Sequence, residues 1–274
     1  MGSVYDSMRT VLKKSENSLK HFLSRYRESF LKMKAEILSL PQIIKKLPHP
    51  AVISLAGAGG KTTLMFTLGK QIPGACVLTT TTKVGEDQIS EAEQQMTCSA
   101  FFDNEVRGKT IWVSPSLTPI NGKICGCGSE TFAALSEECA LRGHPLIFES
   151  DGAARRHIKA PADHEPVIFP GTTVCFYLAG LDVLGKPVNP ETVHRPEIFS
   201  RITGARNEDQ ITPDHIAALF DHPDGGLKKV PDTAIRIAYF THADSGEKLK
   251  AGMYIAEQLT NYDYICIADR KRTK

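Results

Sequence analysis

Apolar runs of strand length alternate along the chain with segments whose apolar residues recur at helical spacing. Strands are predicted at the start of residues 51–63 and 145–152, and at residues 76–83, 110–113, 174–179, 234–240 and 264–268. Helices are predicted at residues 4–47, from residue 64 onward, at residues 131–141, after a cap at residue 212, and at residues 247–259. This alternation is typical of an α/β domain with a mostly parallel sheet and flanking helices.

Residues 4–47 form the longest predicted helix. Its apolar residues recur at steps of three and four: Leu19, Phe22, Leu23, Tyr26, Phe30, Met33, Ile37 and Leu40. Pro41 is expected to end or kink the helix. The segment is basic, since residues 1–50 hold ten Lys and Arg against four Asp and Glu. We expect it to pack on the domain or on a second copy, forming an oligomer, rather than on an anionic membrane surface or an acidic partner.

The composition is that of a folded globular protein, with 41% hydrophobic and 23% charged residues. A net charge of +2 gives no support to a nucleic-acid partner. Seven cysteines, an odd number, and the lack of a secretory segment favour reduced thiols and a cytoplasmic location. No apolar run approaches the length of a transmembrane segment. The Cys125-Gly126-Cys127 spacing is interpreted as a structural turn rather than a zinc site.

Residues 51–63 combine, in order, a strand, a glycine turn, Gly-Lys-Thr and the start of a helix, which are the parts of a phosphate-binding loop. The predicted nucleotide-binding residues are Gly57, Ala58, Gly59, Gly60, Lys61, Thr62 and Thr63. Lys61, expected to be exposed, would reach the outer phosphates of ATP or GTP, and the Thr62 hydroxyl would bind Mg²⁺. The alternative is a glycine turn that only joins a strand to a helix.

The loop is shorter than usual, because Leu55 occupies the position of the ordinary first glycine. It is similar to the short Gly-x-x-Gly-Lys-Thr-Thr loop of Mur ligases. The predicted organisation is a basic helical extension at residues 1–47 followed by a P-loop nucleotide-binding α/β domain at residues 48–274, with Pro48-His49-Pro50 at the boundary.

Residues 145–152 form an apolar strand that ends in acids, as a Walker-B element does. Glu149 and Asp151 fall on the same side of an ideal strand, so either is predicted to share Mg²⁺ with Thr62. Asp151 is favoured because it lies at an Asp-Gly turn, where its carboxylate can swing toward the ion.

The end of residues 76–83 is rich in hydroxyl groups. Thr81, Thr82 and Lys83 are candidate contacts to Mg²⁺ or to a substrate if the sheet is parallel. An edge strand with threonines present for strand propensity is an equally good interpretation.

Polar groups are dense directly after the predicted metal-binding strand, at Arg155, Arg156, His157, Lys159, Asp163, His164 and Glu165. Lys159, His164 and Arg195, with Asp182 nearby, are predicted to form the catalytic and acceptor side of the site. Their charges would hold an anionic acceptor such as a pterin phosphate or a carboxylate. The alternative is that they pair with Asp163 and Glu165 and only fix a proline-rich loop.

These motifs together resemble the YqeC family. The resemblance rests on residues 57–63, 79–83, 149–152, 159–168, 181–187 and 193–197 and covers roughly residues 48–270. It implies a nucleotide-binding α/β protein that acts in the maturation of a selenium-dependent molybdenum hydroxylase or its pterin cofactor.

One departure from the family concerns the nucleotide base. Relatives tend to have an Asn-Lys-x-Asp-like stretch where this chain has Thr241-His242-Ala243-Asp244. The aspartate of that motif in GTPases accepts from the guanine edge, so Asp244 is a candidate base contact while the Asn and Lys are replaced. ATP and GTP therefore both remain candidates.

Three functions fit the sequence. The leading hypothesis is a maturation factor that slowly hydrolyses ATP or GTP with Mg²⁺. The second is an ATP-dependent ligase or kinase that phosphorylates an acceptor, which the short loop supports. The third is a non-enzymatic, nucleotide-sensing scaffold that docks the hydroxylase or its cofactor.

Overall fold

The structure is a computed structural model that describes residues 35–268. In chain order its strands are β1 (Glu36–Ile37), β2 (Val52–Gly57), β3 (Cys76–Thr80), β4 (Lys83–Gly85), β5 (Gln94–Thr97), β6 (Thr110–Ser114), β7 (Lys123–Cys125), β8 (Leu146–Glu149), β9 (Ile158–Lys159), β10 (Val174–Gly180), β11 (Val193–His194), β12 (Ile235–Thr241) and β13 (Tyr264–Ile267). The helices are α1 (Leu40–Ile44), α2 (Lys61–Gln71), α3 (Glu86–Ile89), α4 (Cys98–Asp103), α5 (Ser129–Arg142), α6 (Pro196–Thr203), α7 (Pro213–Asp221) and α8 (Gly246–Gln258), with a 3-10 turn at Leu181–Val183.

Nine strands form the central sheet, in the order β1-β13-β12-β10-β2-β8-β3-β6-β5. Neighbouring strands in this sheet are parallel throughout. The predicted α/β fold with a mostly parallel sheet and flanking helices is therefore confirmed. Two small pairs lie outside it: β9 is parallel to β11, and β4 is antiparallel to β7.

Both faces of the sheet are covered, which explains why its central strands are almost uniformly apolar. Along β10, Phe176 and Leu178 belong to the core that contains the buried side of α2. Tyr177 and Ala179, which alternate with them, belong to the core beneath α7 and α8. No helix among the described residues is long and apolar enough to cross a membrane.

The prediction of one continuous N-terminal helix is wrong over residues 35–47, where only Leu40–Ile44 is helical. Glu36–Ile37 is a strand that pairs with β13, and Ile37 is exposed rather than on a buried helical face. Pro41 lies in the first turn of α1, where its missing N–H costs no hydrogen bond, so it starts a short helix instead of ending a long one. The rest of the predicted basic helix falls on residues 1–34, outside the described part of the chain.

Local signals predicted several boundaries well. The Thr212 hydroxyl accepts a hydrogen bond from His215 N and caps α7, and Gly143 ends α5 with a φ of 69°. The strand predicted at residues 76–83 stops at Thr80, however, and the chain then turns into β4. In the sheet β3 lies between β8 and β6, so it is not the edge strand considered as an alternative.

Candidate functional site

The loop at residues 57–60 joins the end of β2 to the start of α2, at the carboxyl edge of the parallel sheet. Its glycines at 57, 59 and 60 have φ values of 89°, 84° and 116°. Residues other than glycine rarely adopt this left-handed backbone region, so the loop requires glycine at these positions for its conformation. The predicted strand, glycine turn and helix are all present.

Close approach of a neighbouring strand adds a second requirement at Gly57. A Cβ atom at this position would lie 2.4 Å from the backbone oxygen of Leu178 on β10. At Gly59, a Cβ atom would lie 2.6 Å from the backbone nitrogen of Gly180. The loop is therefore held against the end of β10 by backbone contact.

We predict that Gly57→Ala lowers the free energy of unfolding by about 3 kcal/mol, the sum of left-handed strain and a clash with rigid backbone. Gly74→Ala is the matched control, because Gly74 has a φ of 80° but nothing lies within 4 Å of its added Cβ. It should cost about 1 kcal/mol. Urea unfolding of both variants measures the difference, and equal losses would show that the β10 contact is unimportant.

Lys61 is buried, with 4% of its surface exposed, so the expectation of an exposed lysine is wrong. Its ammonium group donates to Gly57 O at 2.6 Å and lies 3.1 Å from Asp151 Oδ1 and 3.5 Å from Glu149 Oε1. Burial alone would lower the pKa of Lys61, but the two carboxylates reverse this effect and leave the pKa raised. Lys61 is thus a fully charged group inside the loop.

Glu149 and Asp151 have different surroundings at the end of β8. Glu149 Oε2 accepts from the Thr62 hydroxyl at 3.3 Å, and Glu149 borders a cavity of about 580 Å³. Burial raises the pKa of Glu149 above its usual value, with Lys61 opposing and Asp151 reinforcing the shift. Asp151 is completely buried and accepts from Gly57 N at 3.1 Å. The structure therefore puts Glu149, rather than the favoured Asp151, on the cavity wall.

Asp151 also begins a buried chain of alternating charges. Lys159 Nζ lies 3.1 Å from Asp151 Oδ2 and donates to Glu165 Oε2 at 2.8 Å and to Gly152 O at 2.6 Å. Arg195 donates to both Glu165 oxygens, at 2.5 and 3.1 Å. Three cations and three acids, with Lys61 and Glu149 at one end, thus balance each other.

Glu165 is the residue with which Lys159 and Arg195 pair, as the alternative to the acceptor-side prediction described. Although burial would raise the pKa of Glu165, the hydrogen bonds and charges of Lys159 and Arg195 lower it to about 2. His164 is largely exposed, with 76% of its side chain accessible and its Nε2 4.0 Å from Glu165 Oε1. Lys159 and Arg195 are therefore brought together as partners of Glu165, whereas Asp163 lies near Lys228 and Asp182 pairs with His157 instead.

The cavity beside Glu149 is strongly cationic. Its walls carry five Lys and Arg side chains and two Glu side chains, and the basic residues are Lys61, Lys83, Lys123, Arg155 and Arg156. Lys83 was predicted as a contact, and Arg155 and Arg156 belong to the polar segment noted in the sequence. Lys123 was missed, because only the pairing of β7 with β4 brings it here.

The threonines that end β3 support β8. Thr80 and Thr81 each donate a side-chain hydrogen bond to Glu149 O, at 3.2 and 3.3 Å. Thr82 lies 3.2 Å from the Thr80 hydroxyl. The Thr80 and Thr81 hydroxyl groups therefore hold the backbone of Glu149 in place.

A second cavity, of about 230 Å³, lies on the other side of the loop, beside the ends of β12 and β13. Its walls include Gly59, Gly60, Thr241 and His242, and the Thr241 hydroxyl donates to Gly59 O at 2.6 Å. Asp244 is outside this cavity and pairs with Lys248 at 2.8 Å, which lowers the pKa of Asp244.

Comparison with known proteins identifies relatives of this chain. A family model described as YqeC protein matches residues 53–197. The protein named "Uncharacterized protein YqeC" from Escherichia coli (strain K12) is 31% identical over 230 residues, which cover 78% of this chain and 85% of that protein. No solved structure matches the chain.

Proposed function

The chain belongs to the YqeC family, and from the geometry of its site we propose that it binds Mg²⁺ with ATP or GTP at residues 57–63 and slowly hydrolyses the nucleotide. The observation that carries the proposal is the position of the Lys61 ammonium group. A charged lysine, held at the first position of α2 between a glycine loop and two acids of the adjacent strand, is the arrangement of a phosphate site.

The charge distribution supports a polyphosphate ligand. Free N–H groups at the start of α2 and the cationic walls of the larger cavity both favour an anion at the loop. A volume of about 580 Å³ is within the range of small-molecule sites. The second cavity, beside Thr241 and His242, is the candidate space for the nucleoside.

The donor set fits Mg²⁺. The Thr62 hydroxyl and Glu149 carboxylate are hard oxygen ligands within 3.3 Å of each other. Asp151 Oδ1, 3.1 Å from Lys61 Nζ, accepts no well-aligned hydrogen bond from the described residues. We assign Glu149 and Thr62 to the ion and Asp151 to positioning Lys61 and Gly57. When bound, Mg²⁺ would neutralise phosphate charge, and Glu149 would be placed to orient the attacking water.

In the cell we propose a role in the maturation of a selenium-dependent molybdenum hydroxylase or its pterin cofactor, as the family resemblance implies. Arg155, Arg156, Lys83 and Lys123 would face an anionic acceptor or partner across the cavity. We keep His164 and Arg195 in the proposed acceptor side of the site. Exposed His164 has the freedom to contact a partner, while Arg195 fixes the loop through Glu165.

Product analysis tests this function. We predict that the full chain with Mg²⁺ releases phosphate from ATP or GTP without an acceptor, and that Glu149→Gln slows release about 10-fold or more. Glu191→Gln, at an exposed site outside both cavities, is the control and should match the wild type. Turnover that strictly requires an acceptor would contradict the hydrolase proposal and favour a ligase or kinase. Nucleotide binding without turnover would contradict it and favour a non-enzymatic scaffold.

A further inference from the structure

We propose that His157, Asp182 and His242 form a binding site for a divalent transition-metal ion, and that Zn²⁺ is the preferred ion. The three residues come from different segments: the turn before β9, the 3-10 turn after β10 and the end of β12. One potential ligand atom from each lies within 4.8 Å of the others. The proposal does not rest on the proposed nucleotide binding, although the cluster borders the cavity assigned to the nucleoside.

Both imidazoles lie near one carboxylate, and His242 Nδ1 is also 2.9 Å from the Thr241 hydroxyl. His157 Nδ1 lies 2.8 Å from Asp182 Oδ2, and His242 Nδ1 lies 3.7 Å from Asp182 Oδ1. The rings are stacked, with centroids 4.7 Å apart and planes inclined by 20°. All three side chains are half-buried, so their geometry is restrained but an ion can enter.

Gly180 leaves the space in which the three side chains meet. A Cβ atom there would lie 2.6 Å from Asp182 Oδ1, 3.0 Å from His157 Cβ and 3.2 Å from His242 Nδ1. The φ of Gly180 is −85°, which any residue adopts, so glycine is required by the side chains and not by the backbone. A small residue at this position keeps the polar cluster assembled.

Two nitrogens and one carboxylate oxygen are a donor set that suits Zn²⁺, whereas the all-oxygen set at Glu149 and Thr62 suits Mg²⁺. Three protein ligands leave a coordination position open, as in catalytic zinc sites. His157 and His242 line the cavity of about 230 Å³ that also borders Gly59 and Gly60. The open position would therefore face a ligand in that cavity.

The charge of Lys186 predicts the direction in which a substitution should change metal affinity. Its ammonium group lies 3.4 Å from Asp182 Oδ2, and its side chain is 52% exposed. A cation bound at Asp182 would be repelled by Lys186, so Lys186→Gln should tighten metal binding. If the cluster were only a set of ion pairs around Asp182, removal of Lys186 would have no effect on metal affinity.

The experiment is titration of the full chain, stripped of metal by a chelator and kept in excess Mg²⁺, with Co²⁺ followed by absorbance and then with Zn²⁺ in competition. We expect the chain to bind one equivalent of Co²⁺. The visible absorption of the bound Co²⁺ should be that of an ion with a low coordination number. His242→Ala and Asp182→Asn should each weaken binding about 100-fold or more, because loss of a ligand exceeds the 10–100-fold typical of outer partners. Lys186→Gln should strengthen it several-fold.

Two controls separate this site from others. His222→Ala removes a histidine outside the cluster, and Cys98→Ser with Cys127→Ser removes a buried thiol pair whose sulfurs lie 4.0 Å apart. Both should bind Co²⁺ like the wild type. Circular dichroism checks folding, and Asp182→Asn serves if His242→Ala unfolds. Wild-type affinity in folded Asp182→Asn, or no binding by the wild-type chain, would overturn the proposal.

Discussion

Replacing Lys61 with alanine should weaken the binding of Mg·ATP and Mg·GTP about 100-fold or more, since several charge-assisted hydrogen bonds to phosphate are lost. It should also lower the free energy of unfolding by about 3 kcal/mol. The second effect follows from burial, because removal of the ammonium group leaves Asp151 and Glu149 with one uncompensated buried negative charge.

The two effects can be separated. Lys61→Ala combined with Asp151→Asn restores the balance of charge in the buried chain, so it should recover part of the lost stability without recovering nucleotide binding. Lys70→Ala is the control on the same helix, because Lys70 is exposed and 3.8 Å from Glu91. It should change neither property measurably. Unchanged nucleotide affinity in folded Lys61→Ala would reject the phosphate-loop interpretation.

The largest effect on stability is expected at Lys159. Lys159→Met should lower the free energy of unfolding by about 3–5 kcal/mol, because it removes the shared cation between two buried carboxylates. Urea denaturation measures this loss. Lys248→Met is the control. Lys248 lies on α8 and forms a partly exposed ion pair with Asp244, and loss of this pair should lower the free energy of unfolding by less than about 0.5 kcal/mol.

A double-mutant cycle identifies the cause. Glu165→Gln in the Lys159→Met background removes a charge of the opposite sign, so the two changes together should cost at least about 1 kcal/mol less than their sum. Additive losses would show that Lys159 and Glu165 are not coupled. A Lys159→Met protein with wild-type stability but no turnover would instead support the acceptor role predicted from the sequence.

Sequence patterns predicted the sheet and the loop because both depend on local signals. Apolar runs of strand length mark β2, β3, β8, β10 and β12, and Gly57 to Thr63 carries its conformational requirement in the residue types themselves. Short strands such as β4, β7 and β9 have no such pattern. They are defined by partners that lie far away in the chain.

The chemistry of the site was harder to predict, because burial is a property of the whole fold. The sequence indicated that Lys61, Glu149, Asp151 and Lys159 share one edge of the sheet. It could not show that Lys61 is buried, and it offered the pairing of Lys159 with Glu165 only as an alternative. The histidine cluster was missed for a similar reason, because His157 and His242 lie far apart in the chain. Gly180, at the end of β10, bonds to the His157 backbone and is paired with Thr241 on β12, and this brings both histidines to Asp182.

The most direct test of the central claim is calorimetric titration of the full chain with ATP and with GTP, each in the presence and in the absence of Mg²⁺. We expect a single site that binds at least one of these nucleotides and binds it more tightly with Mg²⁺. A folded protein that binds neither nucleotide when Mg²⁺ is present would show that residues 57–63 are not a nucleotide site.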